Sequence, residues 1–153
     1  MPGLQKDTGS VANYPAPHNY LRSTHIDLTE SYTYSSAAHP IEPEDTGIGA
    51  NQKFLQRGEI LAKITSGDEQ GKVGVFQVDA TDGRGDAANI VGINNSYTPW
   101  QLLHRDTEVA AVYGASVVTT NVTMRDATGK RVPVDAPTVA ATQSRSDLSI
   151  IWK

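Results

Sequence analysis

The segment from residue 59 to 78 alternates between hydrophobic and polar positions in the manner of a β-hairpin. In "EILAKIT", Ile60, Ala62 and Ile64 fall on one side, and the residues between them fall on the other. That period of two is the signature of a strand. The segment "KVGVFQV" repeats the pattern after the polar turn "SGDEQG". The alternation therefore predicts two paired strands joined by a turn.

Further short apolar runs predict more strands. They are "NIVGI" (89–93), "EVAAVYGASVV" (108–118), "KRVPV" (130–134) and "LSIIW" (148–152). Two short helices are also predicted, one capped by Thr98 and running to His104, the other capped by Asp135 over "APTVAATQSRSDL". Short strands with frequent turns are typical of small barrels and sandwiches. The predicted fold is mainly β, a small β-barrel or sandwich-like domain with one or two short helices.

The first 50 residues of the 153-residue chain have a different composition from the rest. They hold five of the eight prolines and four of the six tyrosines, but no Phe or Trp. Their two basic and six acidic residues account for the whole formal net charge of −4. Such a segment buries too little apolar surface to offset the entropy lost on ordering. We therefore predict a long extended N-terminal arm over residues 1–50 and a β-rich domain over residues 51–153.

Part of this arm has the loose alternation of an edge strand that joins the sheet of another protein. The segment is "YLRSTHIDLTESYTY" (20–34). A solvated tail is the alternative. We favour a binding arm, because tyrosines give large contacts at a low entropy cost and prolines favour extended conformations. Its candidate contact residues are Tyr14, His18, Tyr20, Leu21, Ile26, Leu28, Tyr32 and Tyr34.

The remaining polar motifs give little sign of catalysis, of a metal or of a cofactor, so we expect a protein that is not an enzyme and has none of these groups. The chain has no cysteine, which excludes disulfides and thiolate sites. Its four histidines, three of them in the arm, are expected to be solvated or at an interface. The acidic stretch 42–45 is expected to be solvated. The loop "DATDGRGD" lacks calcium-loop spacing and predicts a turn. Trp100 and Trp152 are expected in the core or at a subunit interface.

Charge and hydropathy narrow the class of partner. A sequence pI near 5.5 argues against a nucleic-acid binder. No apolar run approaches the ~18 residues of a membrane span, and the N-terminus has no basic-then-apolar signal segment. We therefore expect a soluble protein made inside the cell that binds neither nucleic acid nor a membrane.

Four blocks of sequence resemble those of a known family. They are "RGEILAKIT" (57–65), the "GK" turn (71–72), "ATDGRGDAANIVGI" (80–93) and "RDTEVAAVYGASVV" (105–118). Their order and spacing resemble the capsid decoration proteins of tailed phages, the family of the lambda head protein D. The resemblance covers about residues 53–118, less than half of the chain.

The resemblance implies a structural role on a virion. Proteins of this family are β-rich and non-catalytic, and they form homotrimers on the outer surface of the expanded phage head. There they stabilise the shell against the pressure of packaged DNA. The implied partners are the major capsid protein and other copies of the chain, and the N-terminal arm is the segment implied to hold the shell.

Two other functions remain open from the sequence. "GEILAKI" also resembles a strand of biotinyl and lipoyl carrier domains, in which Lys72 would be the modified lysine. Lys72 lacks the neighbours typical of such lysines, and no second half of the carrier repeat follows. A small ligand-binding β-domain is the second alternative, although the sequence nominates no residues for its site.

Overall fold

The structure is a computed structural model that describes residues 20–21, 28–42, 52–97 and 105–153. The described residues contain eight strands, one α-helix and two short 3-10 helices. The strands are β1 (Leu28–Tyr34), β2 (Ile60–Lys63), β3 (Val73–Val75), β4 (Ile90–Asn94), β5 (Thr107–Val117), β6 (Thr123–Arg125), β7 (Arg131–Pro133) and β8 (Ser149–Trp152). The helix is α1 (Ala136–Gln143), and the 3-10 helices are Ala87–Asn89 and Thr119–Asn121.

Five of these strands close a barrel in the order β1, β3, β2, β4, β5, with β1 pairing back onto β5. β1 is antiparallel to β5 along its whole length, from Leu28 opposite Gly114 to Tyr34 opposite Thr107. Tyr34 also pairs in parallel with Val73 of β3. β8 continues the sheet beyond the barrel, parallel to the end of β5. The mainly β prediction, with a small barrel, is confirmed.

Apolar side chains form two cores, one on each face of the barrel wall. The interior core draws on all five barrel strands and includes Tyr34, Leu61, Val73, Val91 and Val109. The second core lies between the wall and β6, α1 and β8, and it includes Tyr20, Ile60, Ala62, Phe76, Ile90, Ile93, Val112, Val117, Met124 and Leu148. Because consecutive residues of β2 alternate between the two cores, both faces of this short strand are buried.

The predicted N-terminal cap of the α-helix is present in the structure. Asp135 caps α1, since its carboxylate accepts the backbone N–H of Thr138 at 2.8 Å. The helix ends at Gln143, sooner than the sequence predicted. The predicted helix from Thr98 to His104 lies outside the described residues. In the part of the chain that the structure describes, no helix has the length and apolar character that a membrane span requires.

Part of the predicted arm belongs to the barrel. β1 completes the ring, and Tyr20 and Tyr34 are fully buried. The predicted boundary at residue 50 therefore does not separate an arm from a domain among the described residues. The amino-acid composition of this segment did not predict that it is part of the folded barrel, because β1 is stabilised by its pairing with β5 and not by apolar residues of its own. Residues 1–19, 22–27 and 43–50 of the predicted arm lie outside the described residues.

Candidate functional site

The candidate arm residues are spread between the cores and the surface. Tyr20 lies in the second core, where its hydroxyl donates to Asn95 Oδ1 at 3.3 Å and its carbonyl accepts the N–H of Val118 at 2.8 Å. Tyr34 fills the interior core. In this fold both side chains are covered, so neither is free to contact a partner. This corrects their placement on the binding face of an arm.

Other candidates stay at or near the surface. Leu28 is 40% exposed, and Tyr32 is half-buried. The backbone of Leu21 pairs with Val117 of β5 in an isolated antiparallel β-bridge, and its side chain is partly buried. Trp152 packs on the second core, and its Nε1–H donates to Thr142 Oγ1 at 3.1 Å. The candidates that lie outside the described residues are Tyr14, His18, Ile26 and Trp100.

Four charged side chains form a buried charge cluster: Glu42, Glu59, Arg125 and Arg131. Arg125 Nε lies 2.7 Å from Glu59 Oε1, and Arg125 Nη2 lies 2.9 Å from Glu42 Oε1. Arg131 Nη2 reaches the same two carboxylates at 3.0 and 3.1 Å. The Glu42, Glu59 and Arg125 side chains are at most 1% exposed. The expectation that Glu42 is solvated was therefore wrong.

Backbone groups complete the bonding of this cluster. Arg125 also donates to the carbonyls of Gly129 and Phe54, each at 3.0 Å, and Glu59 accepts the N–H of Gln56 at 2.7 Å. The Arg131 guanidinium lies 5.1 Å from the centre of the Phe54 ring. The cluster thus ties the chain after β1 to the start of β2 and to the β6–β7 hairpin. A closed set of ion pairs of this kind holds elements together.

His39 and Tyr34 form a hydrogen-bonded pair next to the buried charge cluster. The His39 ring bonds to the Phe54 carbonyl through Nε2, at 3.0 Å, so Nε2 is the donor and Nδ1 accepts from the Tyr34 hydroxyl. Burial lowers the pKa of His39 well below its usual value and raises that of Tyr34. The expectation that histidines are solvated or at an interface was wrong for His39.

The same charges set the acid behaviour of Glu59. Burial raises the pKa of the Glu59 carboxyl, but Arg125 and Arg131 outweigh burial and lower this pKa from 4.5 to about 2. The pKa of Arg125 is raised, because the two carboxylates outweigh the burial that alone would lower it. Glu59 and Arg125 are therefore both ionised at neutral pH.

We expect acid to destabilise the fold in two stages. His39 and Glu59 both have a lower pKa in the folded chain than in the unfolded chain, so folding favours their deprotonated forms and stability is lost as pH falls. The first stage begins below about pH 6.5 with His39, and the second runs from about pH 4.5 towards pH 2 with Glu59. Urea midpoints measured across this range test both stages.

The matched variant for this experiment is Glu59→Gln. It should be less stable than the wild type at neutral pH, yet lose less stability in the second stage, because it lacks the carboxylate that must be protonated. The carboxyls of Asp106, which is partly exposed, and of Asp147, which is exposed, also have lowered pKa values and should contribute to the acid loss of stability in both proteins. An acid loss in Glu59→Gln as large as in the wild type would contradict the role of Glu59.

The Asp-rich loop after β3 is a set of turns. Arg84 Nε lies 2.8 Å from Asp82 Oδ2, and the Arg84 side chain is mostly buried against Gly74. Asp86 caps the 3-10 helix that follows, since its carboxylate accepts the N–H of Ala88. The turn interpretation of this loop is confirmed, and the arginine of the Arg-Gly-Asp tripeptide faces the protein.

Lys72, the lysine that a carrier domain would use, is held by ion pairs. Its Nζ lies 2.6 Å from Glu69 and 2.7 Å from Asp106. These pairs hold the ammonium against the barrel, whereas a carrier domain presents its lysine at a free hairpin tip.

A groove of about 440 Å³ lies at the end of the barrel where β2 ends and β4 begins. We call it the barrel-end groove. Its walls are β1, β2, β4 and β5 together with the connection from α1 to β8. The polar and aromatic side chains that line it are Glu30, Tyr32, Lys63, Asn89, Tyr113, Arg145 and Asp147. Sequence reasoning missed this groove, because its residues come from five separate segments.

Hydrogen bonds fix much of the groove lining. Tyr32 donates its hydroxyl to Glu30 at 2.9 Å, and burial with this bond raises the pKa of Tyr32 to about 12. Arg145 makes a two-pronged pair with Asp147 at 2.8 and 2.6 Å and donates to the carbonyl of Ala87. The groove is therefore a formed, solvent-open site, in contrast to the buried charge cluster.

The chain was compared with protein-family models, with characterised proteins and with solved structures, and it matches none of them.

Proposed function

We propose that this chain is a non-catalytic capsid decoration protein. It binds the outer surface of an expanded, icosahedral phage head as a homotrimer at local three-fold positions. Residues before the barrel contact the major capsid protein, and the bound trimers stabilise the head against internal DNA pressure. Three such segments on one trimer multiply modest single-site affinities through their effective concentration.

The four blocks of family resemblance support this proposal by where they lie. They fall on one structural unit, in which "RGEILAKIT" contains β2, the "GK" turn leads into β3, and the two longer blocks contain β4 as far as Ile93 and the whole of β5. β2 pairs with β3 and β4, and β4 pairs with β5. The resemblance therefore concerns a connected set of barrel strands.

The observation that carries the proposal is the position of β1. The strand lies C-terminal to residues 1–19 and to the docked Tyr20 and Leu21, and it pairs with β5 along all seven of its residues, while its far end also pairs with β3. A pull on the preceding residues is thus shared by a ladder of hydrogen bonds in a closed barrel. A protein that clamps a pressurised shell through its N-terminal segment needs this kind of anchorage.

A second candidate, a small ligand-binding β-domain, is favoured by one observation. The barrel-end groove has a volume within the range of about 300–1,000 Å³ that is usual for small-ligand sites. The two functions are compatible, because a decoration protein on a virion presents its outer surface to solvent. No comparable observation favours the carrier function.

The proposal is tested by co-sedimentation with expanded, undecorated heads of tailed phages. The full chain is compared with a variant that lacks residues 1–19 and so keeps every described residue. We expect the full chain to saturate the heads at a fixed copy number and the shortened chain to bind at least about tenfold more weakly, since it loses three contact segments at once.

Each outcome of the co-sedimentation has one meaning. Equal binding by both chains would keep the decoration role but place the contact on the barrel. Absence of binding by the full chain, which unfolds cooperatively in the same buffer, would overturn the proposed function. Heads that already carry a saturating decoration protein serve as the control for non-specific adsorption.

A further inference from the structure

We propose that the barrel-end groove binds a neutral saccharide. This inference does not depend on capsid binding, and it would hold for either candidate function. It rests on the shape of the groove, on the balance of its charges and on two tyrosines that line it.

The charges of the groove cancel. Lys63 and Arg145 are basic, and Glu30 and Asp147 are acidic. Arg145 and Asp147 neutralise each other in their two-pronged pair. An anion would therefore meet Glu30 and Asp147 as well as the basic groups, and a cation would meet Lys63 and Arg145. A ligand without net charge avoids both costs.

The polarity of the lining excludes an apolar ligand as well. Covering four charged side chains with an apolar surface would remove their water without replacing its hydrogen bonds. A polyhydroxylated ligand instead supplies donors and acceptors along its whole length. Each ionised group in the groove can then form a charge-assisted hydrogen bond to a ligand hydroxyl.

Several groups in the groove have bonding capacity left for such a ligand. In the part of the chain that the structure describes, the Lys63 ammonium and the Tyr113 hydroxyl make no hydrogen bond. Glu30 accepts from Tyr32 and keeps further lone pairs. These donors and acceptors stand on β1, β2 and β5, so the barrel itself fixes their spacing.

The two tyrosines of the groove supply apolar surface that can pack against a sugar ring. Tyr32 and Tyr113 are both half-buried, and each combines an apolar ring with a polar hydroxyl. A pyranose ring has the same division, with C–H bonds on its faces and hydroxyls around its edge. Rings held on neighbouring strands of a closed barrel lose little side-chain entropy when such a ligand binds.

The test uses the full chain, uniformly labelled with 15N, and NMR titration with defined probes. The neutral probes are maltotriose, cellotriose and chitotriose, and the charged comparisons are trigalacturonate and trilysine. We expect at least one neutral probe to shift the amides of Asn89, Val91 and Tyr113 in a saturable way. At about 10 mM probe, a Kd of 1 mM gives roughly nine-tenths occupancy, so binding of that strength is visible.

Variants locate the binding in the groove. Tyr113→Phe keeps the ring and should weaken binding about 3–10-fold through the lost hydroxyl. Tyr113→Ala and Lys63→Met should weaken it by about tenfold or more. Lys130→Met, which alters an exposed lysine outside the groove, should bind as the wild type does.

Three results would overturn the inference. The first is that no neutral probe shifts the groove amides in the full chain. The second is that trigalacturonate or trilysine binds the groove more tightly than every neutral probe, since the class of ligand would then be wrong. The third is that Tyr113→Phe and Lys63→Met, with spectra of a folded protein, bind the neutral probe as tightly as the wild type.

Discussion

Replacing Arg125 with methionine is expected to lower the free energy of unfolding by about 3–5 kcal/mol. The change leaves the carboxylates of Glu42 and Glu59 buried, with only Arg131 to compensate them. It also removes the donors to the carbonyls of Gly129 and Phe54. Because small domains are stable by only about 5–15 kcal/mol, a loss of this size moves the urea midpoint far towards zero denaturant.

The matched control is Arg145→Met, which breaks an arginine–carboxylate pair whose carboxylate is exposed. Asp147 of that pair is 64% exposed, so its charge stays in water when the arginine is lost. We expect a loss of about 0–1 kcal/mol for this variant. Equal losses in the two variants would show that burial does not govern the energy of the Arg125 cluster.

A pH series distinguishes uncompensated charge from a simple packing defect. In the wild type, acid removes stability because the pKa of Glu59 is lower in the folded chain. Without Arg125, burial should raise the folded pKa of Glu59 above its unfolded value, so that protonation favours folding. The gap in stability between wild type and Arg125→Met should therefore narrow as pH falls towards about 4. A gap that stays constant would indicate lost packing.

The sequence predicted the elements whose signals are local. The alternation of residues 59–78 gave β2 and β3, and the runs "NIVGI" and "EVAAVYGASVV" gave β4 and β5. Asp135 before Ala136 and Pro137 gave the start of α1. In each case the deciding residues lie within one short window, where period, caps and turn residues all indicate the same element.

The features that the sequence placed wrongly or missed depend on distant partners. The loose alternation of residues 20–34 predicted a strand, but one that would join the sheet of another protein. β1 reads "LTESYTY", which contains one aliphatic residue, and it forms because β3 and β5 leave a gap that its backbone fills. The buried charge cluster joins Glu42 to Arg125, which lies 83 residues away. Nothing in "IEPED" around Glu42 distinguishes a buried carboxylate from a solvated one. The partner that decides its state is visible only in the folded chain.

The barrel-end groove shows the same limit for a site. Its tyrosines, Tyr32 and Tyr113, are ordinary strand residues in the sequence, and its pair Arg145–Asp147 falls in the segment that the sequence predicted as the end of the second helix. Closure of the barrel and the path from α1 to β8 bring them to one place. For this reason, sites built from several strand ends are the part of a β-barrel that is hardest to predict from sequence patterns.

A chain that begins at Asn51 is expected not to fold, whereas one that begins at Tyr20 should unfold with nearly the cooperativity of the wild type. The longer deletion removes β1, which opens the barrel and exposes the edges of β3 and β5. It also empties the place of Tyr34 in the interior core and removes Glu42 from Arg125. Circular dichroism and tryptophan fluorescence in urea measure the outcome for each chain.

A chain that begins at Leu28 separates the contribution of β1 from that of Tyr20. It keeps the closed barrel but loses the Tyr20 ring from the second core, together with the bond from the Tyr20 carbonyl to Val118. Loss of a buried aromatic side chain costs about 3–5 kcal/mol, so this chain should be folded but markedly less stable.

A cooperative transition in the chain that begins at Asn51 would contradict the structural role of β1. If that chain is unfolded, its failure to bind a capsid would say nothing about an arm, which is why the binding experiment must delete residues 1–19 alone.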